Sequence, residues 1–366
     1  MNNETGAVST RARKQASGKK AENPAAGLLA ALKFVSVAQK KSGPVETQFC
    51  RIFGGFVTAT NGVLTAGARV EEDLQTCPHT MQMIAALSKV AGDVSIVQLS
   101  ENALSVASGS LRALVPCVTF AQLPQVMPDE SCATIDDRIK TAFADVSGLA
   151  TEGAPNATYA AVLLQAQTAV ATNGAALLEA WHGIDLPPGM MLPKCAAVAV
   201  AKAKPSLQGF GFSQSSATFW FEDGSFIKSQ LYAERFPNYV PLIEVENLNL
   251  WPMPDDLFIG IKAIEQFVES GNVFFDGDSI ASSAQAELAS SYKIEGLPER
   301  MGFNLKLLLQ VEHAFKKAHF LPSENKVVFY GDNVRGVLMG LCLRTEASED
   351  TYVVKTGDNY EDDVPF

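Results

Sequence analysis

The four residues Ala-Thr-Asn-Gly occur twice in the chain, in "FVTATNGVLTAGARV" at 56–70 and in "TAVATNGAALLEAWH" at 168–182. A strand-like run leads into each copy, and the copies stand 112 residues apart. A weaker third copy, "IASSAQAEL", places Ala281 110 residues after Ala171. A four-residue echo can arise by chance in a chain rich in Ala and Thr. Other features at the same spacing are needed before it indicates a repeat.

Two further features recur in the same order. The first is a helix-like stretch, seen in "CPHTMQMIAALSKV" (77–90), "LPKCAAVAVAKAK" (192–204) and "GFNLKLLLQVEHAFKKAHF" (302–320). The second is a pair of alternating strands with a polar turn, which begins at Leu99, Phe212 and Pro322. The serines that open these turns, Ser100, Ser213 and Ser323, are spaced 113 and 110 residues apart. Three features that keep one order and one period indicate three copies of a unit large enough to form a domain.

Each unit is predicted to be α+β. Opening helices are expected at 24–41, 135–150 and 254–269, and the segments between helices alternate as strands do, with an Asp223-Gly224 turn as one hairpin. The strands are expected to be mainly antiparallel, with two helices over one face of each sheet. The predicted domains are 23–127, 128–247 and 248–345, between a basic tail at 1–22 and an acidic tail at 346–366.

Charge is unevenly distributed along the chain. The formal net charge is −11, but residues 1–22 carry a net +3 and residues 346–366 a net −6, which leaves −8 on the body. An acidic body argues against indiscriminate nucleic-acid binding and leaves open one basic face. The sequence contains neither an apolar run long enough for a membrane span nor a signal-peptide pattern, so a cytoplasmic protein without membrane contact is expected.

The sequence does not predict an enzyme. It lacks G-x-G-x-x-G, G-x-x-x-x-G-K-[ST], G-x-S-x-G and H-E-x-x-H, and its four histidines are scattered. The "FFDGDS" stretch at 274–279 has the acids of a metal loop but not the remaining ligands. We therefore expect no catalytic residue, no metal and no cofactor.

From 23 to 345 the sequence resembles the bacterial sliding clamp, the β subunit of DNA polymerase III. The resemblance is carried by "ATNGAALLEA" (171–180), "FEDGSFIKSQLYAERFPNY" (221–239), "MGFNLKLLLQV" (301–311) and "GVLMGLCL" (336–343). It implies three tandem clamp-type domains, with sheets outside and helices lining a ring that a head-to-tail homodimer closes. A ring of this kind would encircle double-stranded DNA without reading its sequence and serve as a processivity factor, loaded by a clamp loader. The two tails, which the family normally lacks, and the departures from the family pattern given below suggest a phage or mobile-element member.

Basic residues on the predicted helices are the candidates for contact with DNA. Unlike the body, these helices are largely basic, and phosphate contacts would be weak, salt-sensitive and independent of base sequence. The candidates are Lys33, Lys40, Lys41, Lys89, Arg138, Lys140, Lys194, Lys202, Lys204, Lys306, Lys316 and Lys317.

The resemblance also implies a groove between domains two and three for DNA polymerase and other clamp-binding peptides. The matching positions are Thr172, Gly174, Leu177, Leu242, Asn304, Leu307, Val337, Leu338, Met339 and Gly340. Their largely apolar character suits a peptide anchor, although the same residues also suit a domain core. Where the family has a His-Arg pair the chain has Ala175-Ala176, and Gly340 replaces a Pro.

The final residues "DNYEDDVPF" resemble the tip of single-stranded-DNA-binding protein. Asp362, Asp363, Val364, Pro365 and Phe366 would then dock in a small apolar pocket with a basic rim, on proteins that take such a tip. A generic acidic tail, or one that folds onto its own groove, are the alternatives. The rival function is a clamp-like decoy or hub that binds host replication proteins without encircling DNA.

Overall fold

The computed structural model describes residues 23–40, 42–285 and 289–341. The two predicted tails and Lys41 lie outside these ranges. Within them, the helices are α1 Ala26–Val35, α2 Thr80–Leu87, α3 Arg138–Ser147, α4 Ala157–Ala160, α5 Lys194–Lys202, α6 Val240–Ile243, α7 Leu257–Ile264 and α8 Leu305–Val311. Short 3-10 turns lie at Ser36–Ala38, Val45–Thr47, Phe120–Gln122, Glu265–Phe267, Glu312–Ala314 and Pro322–Glu324. No helix among the described residues has the length and apolar character of a bilayer span.

The strands are short and pair in antiparallel fashion. They are β1 Arg51–Phe53, β2 Phe56–Thr60, β3 Leu64–Arg69, β4 Cys77–Pro78, β5 Ser95–Ser100, β6 Ala103–Ser108, β7 Leu111–Val118, β8 Ala133–Thr134, β9 Ala161–Leu164, β10 Thr168–Thr172, β11 Ala176–Trp181, β12 Met190–Pro193, β13 Leu207–Phe212, β14 Ser216–Phe221, β15 Phe226–Gln230, β16 Trp251–Pro252, β17 Asn272–Phe275, β18 Ser279–Ala281, β19 Ser291–Lys293, β20 Met301–Asn304, β21 Lys317–Leu321, β22 Lys326–Tyr330 and β23 Val334–Met339. The expected α+β class with antiparallel sheets is confirmed.

The chain divides into two compact units, and each contains one large sheet and one small sheet. The first unit comprises the described part of Met1–Lys140 with Cys195–Leu231, and holds the sheets β1-β2-β3-β15-β14-β13-β8 and β4-β7-β6-β5. The second comprises Thr141–Lys194 with the described part of Tyr232–Phe366, and holds β12-β9-β10-β11-β23-β22-β21-β16 and β19-β18-β17-β20. The predicted second domain, 128–247, contributes to both units, and the division into three domains stays a prediction.

The repeated Ala-Thr-Asn-Gly stretch forms the same turn in both units. In the first, the Thr60 hydroxyl donates to the Leu64 carbonyl (3.0 Å) and the Leu64 N–H donates to Asn61 Oδ1 (2.8 Å). In the second, the Thr172 hydroxyl donates to the Ala176 carbonyl (2.8 Å) and the Ala176 N–H donates to Asn173 Oδ1 (2.8 Å). The glycines have φ of 88° and 87°, a left-handed conformation that favours glycine. The motif therefore recurs because each residue has a defined role in the turn.

Helix burial follows the apolar periodicity of the sequence. In α3, Ile139, Ala142, Phe143 and Val146 are almost fully buried, which is the spacing of one helix face. In α1, Leu28, Ala31, Leu32 and Val35 are buried, and the helix packs on β3. The helices predicted for 24–41, 77–90, 135–150, 192–204 and 254–269 are present in shortened form.

The sixth predicted helix, 302–320, is wrong in its second half. The helix α8 ends at Val311, and residues 317–321 form β21, which pairs with β22 and β16. Phe315 and Phe320 belong to an aromatic cluster with Phe275, Phe303 and Phe329. Sheet pairing and this aromatic packing outweigh the helical pattern, a common override of local preference by tertiary contacts.

Candidate functional site

The candidate partner groove lies in the second unit, where β11 pairs with β23. Leu177 stands opposite Val337 in this antiparallel pair, and the β23 strand pairs Val337 with Val328 of β22 on its other side. Residues directly opposite each other share a face of the sheet. They form the centre of an apolar cluster whose buried members are Ala157, Ala161, Leu163, Val170, Leu177, Met191, Tyr239, Ile243, Val328 and Val337.

A segment of the same unit, residues 232–245, packs against this cluster and leaves its own apolar side chains partly exposed. The partly buried residues around the cluster are Tyr232, Phe236, Leu242, Val245, Leu321 and Tyr330. Phe236 and Tyr239 meet edge to face at 6.0 Å between ring centroids. The buried side chains form a core, and its partly exposed apolar border is the surface available to an inserted peptide side chain. We call this surface the groove.

Only part of the groove was found from the sequence. The predicted residues Leu177, Val337 and Leu242 belong to or pack against the cluster, whereas Phe236, Tyr239 and Tyr330 were not predicted; the role of this surface as a peptide groove stays a prediction. The "RFPNY" stretch at 235–239 already contained two of the missed rings and was the available signal. For Tyr330 the sequence contained no such signal, because its place beside the groove depends on strand pairing.

Four other predicted groove residues lie at one end of the β11–β23 pair. Thr172 and Gly174 belong to the turn before β11, and the Met339 N–H donates to the Ala175 carbonyl beside it (2.8 Å). Met339 is 42 % exposed, so its thioether is accessible from solvent. Gly340 donates its N–H to the Asn325 carbonyl. A proline at 340 could not make this bond, because proline has no N–H.

Three predicted groove residues do not contribute to the cluster. Leu338 is fully buried and, because side chains alternate along a strand, faces away from Val337 and does not belong to the cluster. Asn304 caps α8, since its Oδ1 accepts from the Leu307 N–H at 3.1 Å. Leu307 is half-buried on α8. Neither Asn304 nor Leu307 belongs to the apolar cluster.

A buried carboxylate lies on the same face as the groove. Glu179 is only 7 % exposed, and it pairs across the strands with Arg335, just as Leu177 pairs with Val337. Its Oε1 accepts from the Tyr239 hydroxyl (2.8 Å) and from the Thr168 hydroxyl (3.0 Å), and its Oε2 accepts from Arg335 Nε (2.6 Å). We call these four residues the Glu179 network. It joins β10, β11, β23 and the 232–245 segment through charge-assisted hydrogen bonds.

Glu179 keeps the two titratable groups that donate to it, the Tyr239 hydroxyl and the Arg335 guanidinium, protonated. Burial, the hydrogen bond to Glu179 and the negative charge of Glu179 raise the pKa of the Tyr239 hydroxyl well above its usual value. For Arg335, burial works against the charge, but the hydrogen bond and charge of Glu179 outweigh it and raise the pKa. Tyr239 therefore stays a donor and Arg335 stays a cation.

The first unit provides an internal comparison for the groove. There β3 pairs with β15, and the position equivalent to Val337 is Lys228, opposite Thr65. Lys228 Nζ donates to the Met127 carbonyl (2.9 Å) and pairs with the Asp129 carboxylate (3.1 Å). A lysine engaged by the chain's own segment replaces the apolar floor. The two matching strand pairs therefore differ at this position, which holds an apolar Val337 opposite Leu177 in the second unit and a lysine opposite Thr65 in the first.

The structure divides the predicted DNA-contacting residues into two classes. The first class consists of exposed lysines that form no ion pair with another described residue: Lys33, Lys40, Lys89, Lys202, Lys204, Lys306 and Lys317. Lys33 is in the last turn of α1 and Lys202 is in the last turn of α5. Lys317 lies on β21, not on a helix as expected, and Lys316 directly precedes that strand.

The second class is already engaged within the protein. Arg138 pairs with Asp136 at 2.9 Å, Lys316 pairs with Asp332, and Lys194 Nζ donates to the Ala150 carbonyl. Lys140 is mostly buried, and its Nζ contacts Asp137 (2.9 Å) and the Pro205 carbonyl (2.6 Å). The ammonium of Lys140 is therefore used to hold the loop before β13, and its contact with DNA stays a prediction without support from this geometry.

Among the described residues there is no group of three or more His, Cys, Asp or Glu side chains that could hold a metal ion. The Asp362 to Phe366 docking sequence lies outside the described residues. Of the predicted tail-docking and groove sites, the groove is therefore the one for which the structure gives side-chain geometry.

Similarity to solved structures covers most of the chain. The DNA polymerase III subunit beta from Pseudomonas aeruginosa matches with a TM-score of 0.72 at 16 % identity, over 87 % of this chain and 98 % of that chain. The fold is that of a sliding clamp. The DNA polymerase sliding clamp from Caulobacter crescentus matches with a TM-score of 0.70 at 18 % identity, over 87 % and 98 % of the two chains. A putative DNA polymerase III beta subunit from Eubacterium rectale matches with a TM-score of 0.73 at 10 % identity, over 86 % and 97 %.

The sequence itself has diverged far from these sliding clamps. No family model matches the chain, and no curated protein matches it. At such low identity the comparison establishes the sliding-clamp fold, while activity has to be argued from residues. The expected phage or mobile-element origin stays a prediction.

Proposed function

We propose that the protein is a DNA sliding clamp, a processivity factor that encircles duplex DNA and tethers replication or repair proteins through the groove. The main support is the match of 87 % of the chain, at a TM-score of 0.72, to a DNA polymerase III subunit beta. The apolar groove adds a surface suited to a short peptide of a DNA polymerase or another client. The proposed role involves no catalysis and belongs in the cytoplasm.

Encirclement requires a closed ring, for which we propose a head-to-tail homodimer. Two features support this. The β5 strand is an edge strand of the first unit and exposes Leu99, while α7 of the second unit exposes Ile259 beside the edge strand β19. Exposed sheet edges invite pairing with another chain, and a head-to-tail contact either closes or polymerises. A closed ring leaves no edge of this kind unpaired.

The decisive experiment is retention on circular DNA. The protein, loaded with a bacterial clamp loader on nicked circular duplex, is expected to co-elute with the circle at high salt and to be released when a restriction enzyme linearises it. A solution mass near that of two 39.1 kDa chains is expected in the same buffer. Equal loss from circular and linear DNA would contradict encirclement and favour the decoy or hub. The dependence on a loader, and the binding of proteins that take the Asp362 to Phe366 tip, stay predictions from sequence.

Contact with DNA is proposed through the exposed, unpaired lysines. Lys202 and Lys204 are the best test, because both are exposed and neither forms an ion pair with another described residue. Each phosphate contact contributes about 0.9 to the slope of log K against log salt. The double substitution Lys202→Gln and Lys204→Gln is therefore expected to lower that slope by about 2 on a short linear duplex. The measurement is fluorescence anisotropy across a salt series.

The control for this pair removes the same charge at lysines that already have acidic partners. Lys262 lies 2.7 Å from Glu312, and Lys316 pairs with Asp332. Lys262→Gln with Lys316→Gln is expected to leave the salt slope nearly unchanged. An equal reduction in both double variants would show that only net charge matters, which contradicts specific contacts by Lys202 and Lys204.

A further inference from the structure

Arg335 is a charged residue beside the groove. Binding of an apolar peptide side chain alone would not require this charge. Arg335 lies two residues before Val337 on β23, and its partner Glu179 lies two residues after Leu177 on β11. Because side chains alternate, Arg335 and Val337 share one face of the sheet. The cation is thus a direct neighbour of the apolar floor.

The ion pair is asymmetric in its exposure. The Glu179 side chain is 7 % exposed and the Arg335 side chain 35 %. The carboxylate is turned inward and accepts hydrogen bonds from Thr168, Tyr239 and Arg335. What faces solvent beside the groove is consequently the positive member of the pair.

Glu179 and Tyr330, the hydrogen-bonding neighbours of the guanidinium among the described residues, do not occupy all of its donors. The guanidinium carries five N–H groups, of which Nε is given to Glu179, and the Tyr330 hydroxyl is a second neighbour of the group. Its anchored Nε holds the planar fork in one orientation, so little side-chain entropy is lost when a further acceptor binds. A carboxylate is the ligand that this fork fits best.

We propose that Arg335 makes the groove selective for peptides that carry a carboxylate near their apolar anchor. This inference rests on the proposed function, because it assumes that the groove binds client peptides. In a strand, residues two apart are separated by about 6.6 Å, and the same spacing holds in an extended peptide. The preferred partner is therefore a segment of another protein with Asp or Glu two positions from a Leu or Phe that enters the apolar cluster.

The test uses the full chain and three labelled synthetic peptides that share one Leu-Phe anchor. They differ only at the position two residues before the anchor, which is Asp, Asn or Lys. The Asp peptide is expected to bind about tenfold more tightly than the Asn peptide, and the Lys peptide more weakly than both. Moving Asp by one position, to the opposite side of an extended peptide, is expected to remove the preference.

The protein variants separate selectivity from folding. Arg335→Gln alone would leave a buried carboxylate unpaired, so it is combined with Glu179→Gln, which keeps neutral hydrogen-bonding groups at both sites. The double variant is expected to bind the Asp and Asn peptides equally, with the Asn affinity unchanged. Arg235, an exposed cation on the 232–245 segment, is the matched control, and Arg235→Gln is expected to retain the tenfold preference.

Each other outcome overturns a defined part of the inference. Equal binding of the Asp and Asn peptides to the natural chain would exclude selectivity by Arg335 while leaving the groove as a peptide site. Binding of none of the peptides would exclude the proposed function of the groove itself. Loss of the preference in Arg235→Gln would move the selectivity to that residue. If Asp362→Asn with Asp363→Asn strengthens binding of the Asp peptide, the occupant is the chain's own acidic segment and not a partner.

Discussion

Alanine in place of Glu179 is expected to lower the free energy of unfolding by about 1–3 kcal/mol. The substitution leaves the Arg335 guanidinium and the Tyr239 and Thr168 hydroxyls without their common acceptor, in surroundings where Glu179 is only 7 % exposed. The cost comes mainly from the hydroxyls of Tyr239 and Thr168, which lose their acceptor, because the Arg335 side chain is 35 % exposed and its charge can be hydrated. Urea unfolding followed by circular dichroism, with the melting temperature as a second observable, measures the change.

An exposed ion pair of the same unit is the control for this prediction. Glu312 lies 2.7 Å from Lys262, with both side chains substantially exposed, so Glu312→Ala is expected to cost less than about 1 kcal/mol. Replacing both Glu179 and Arg335 with Met is expected to recover only part of the loss, since no unpaired charge then remains but the Tyr239 and Thr168 hydroxyls still lack their acceptor. A loss for Glu179→Ala no greater than that for Glu312→Ala would contradict a structural role for the Glu179 network.

Aspartate in place of Leu242 is expected to abolish detectable peptide binding, with a loss of at least about 30-fold. Leu242 is partly buried against the apolar cluster, so its side chain is available both to the cluster and to a bound anchor. A carboxylate there would have to be desolvated by any apolar side chain that enters the groove, without a partner to compensate. Isothermal titration calorimetry with the Leu-Phe peptides described above measures the loss.

Leu248 provides the matched substitution. It is 40 % exposed and does not belong to the apolar cluster, so Leu248→Asp is expected to bind the peptides as the natural chain does. Retention on circular DNA is expected in both variants, because neither residue is among the proposed DNA contacts. If Leu242→Asp binds peptides normally while its melting temperature is unchanged, the client site lies elsewhere.

Features that depend on contacts between residues close in sequence were predicted correctly, whereas features that depend on distant residues were not. The Asp223-Gly224 hairpin and the start of α8 depend on contacts within a few residues, and both are present where expected. The end of α8 was predicted wrongly because β21 is determined by strand pairing with β22 and β16. For a similar reason the sequence did not show that Lys140 is engaged within the protein, since its acceptor, Pro205, lies 65 residues away.

By itself the sequence determined the α+β class, the repeated Ala-Thr-Asn-Gly stretch and the apolar character of Leu177, Leu242 and Val337, because periodicity and turn chemistry are local properties. Only the tertiary structure decided that Val337 and Lys228 occupy equivalent positions of the two strand pairs, and which lysines are already neutralised by an acid. It also decided that Glu179 meets Arg335, 156 residues along the chain. The physical reason is that burial and ion pairing depend on which strands become neighbours, and no local pattern encodes that.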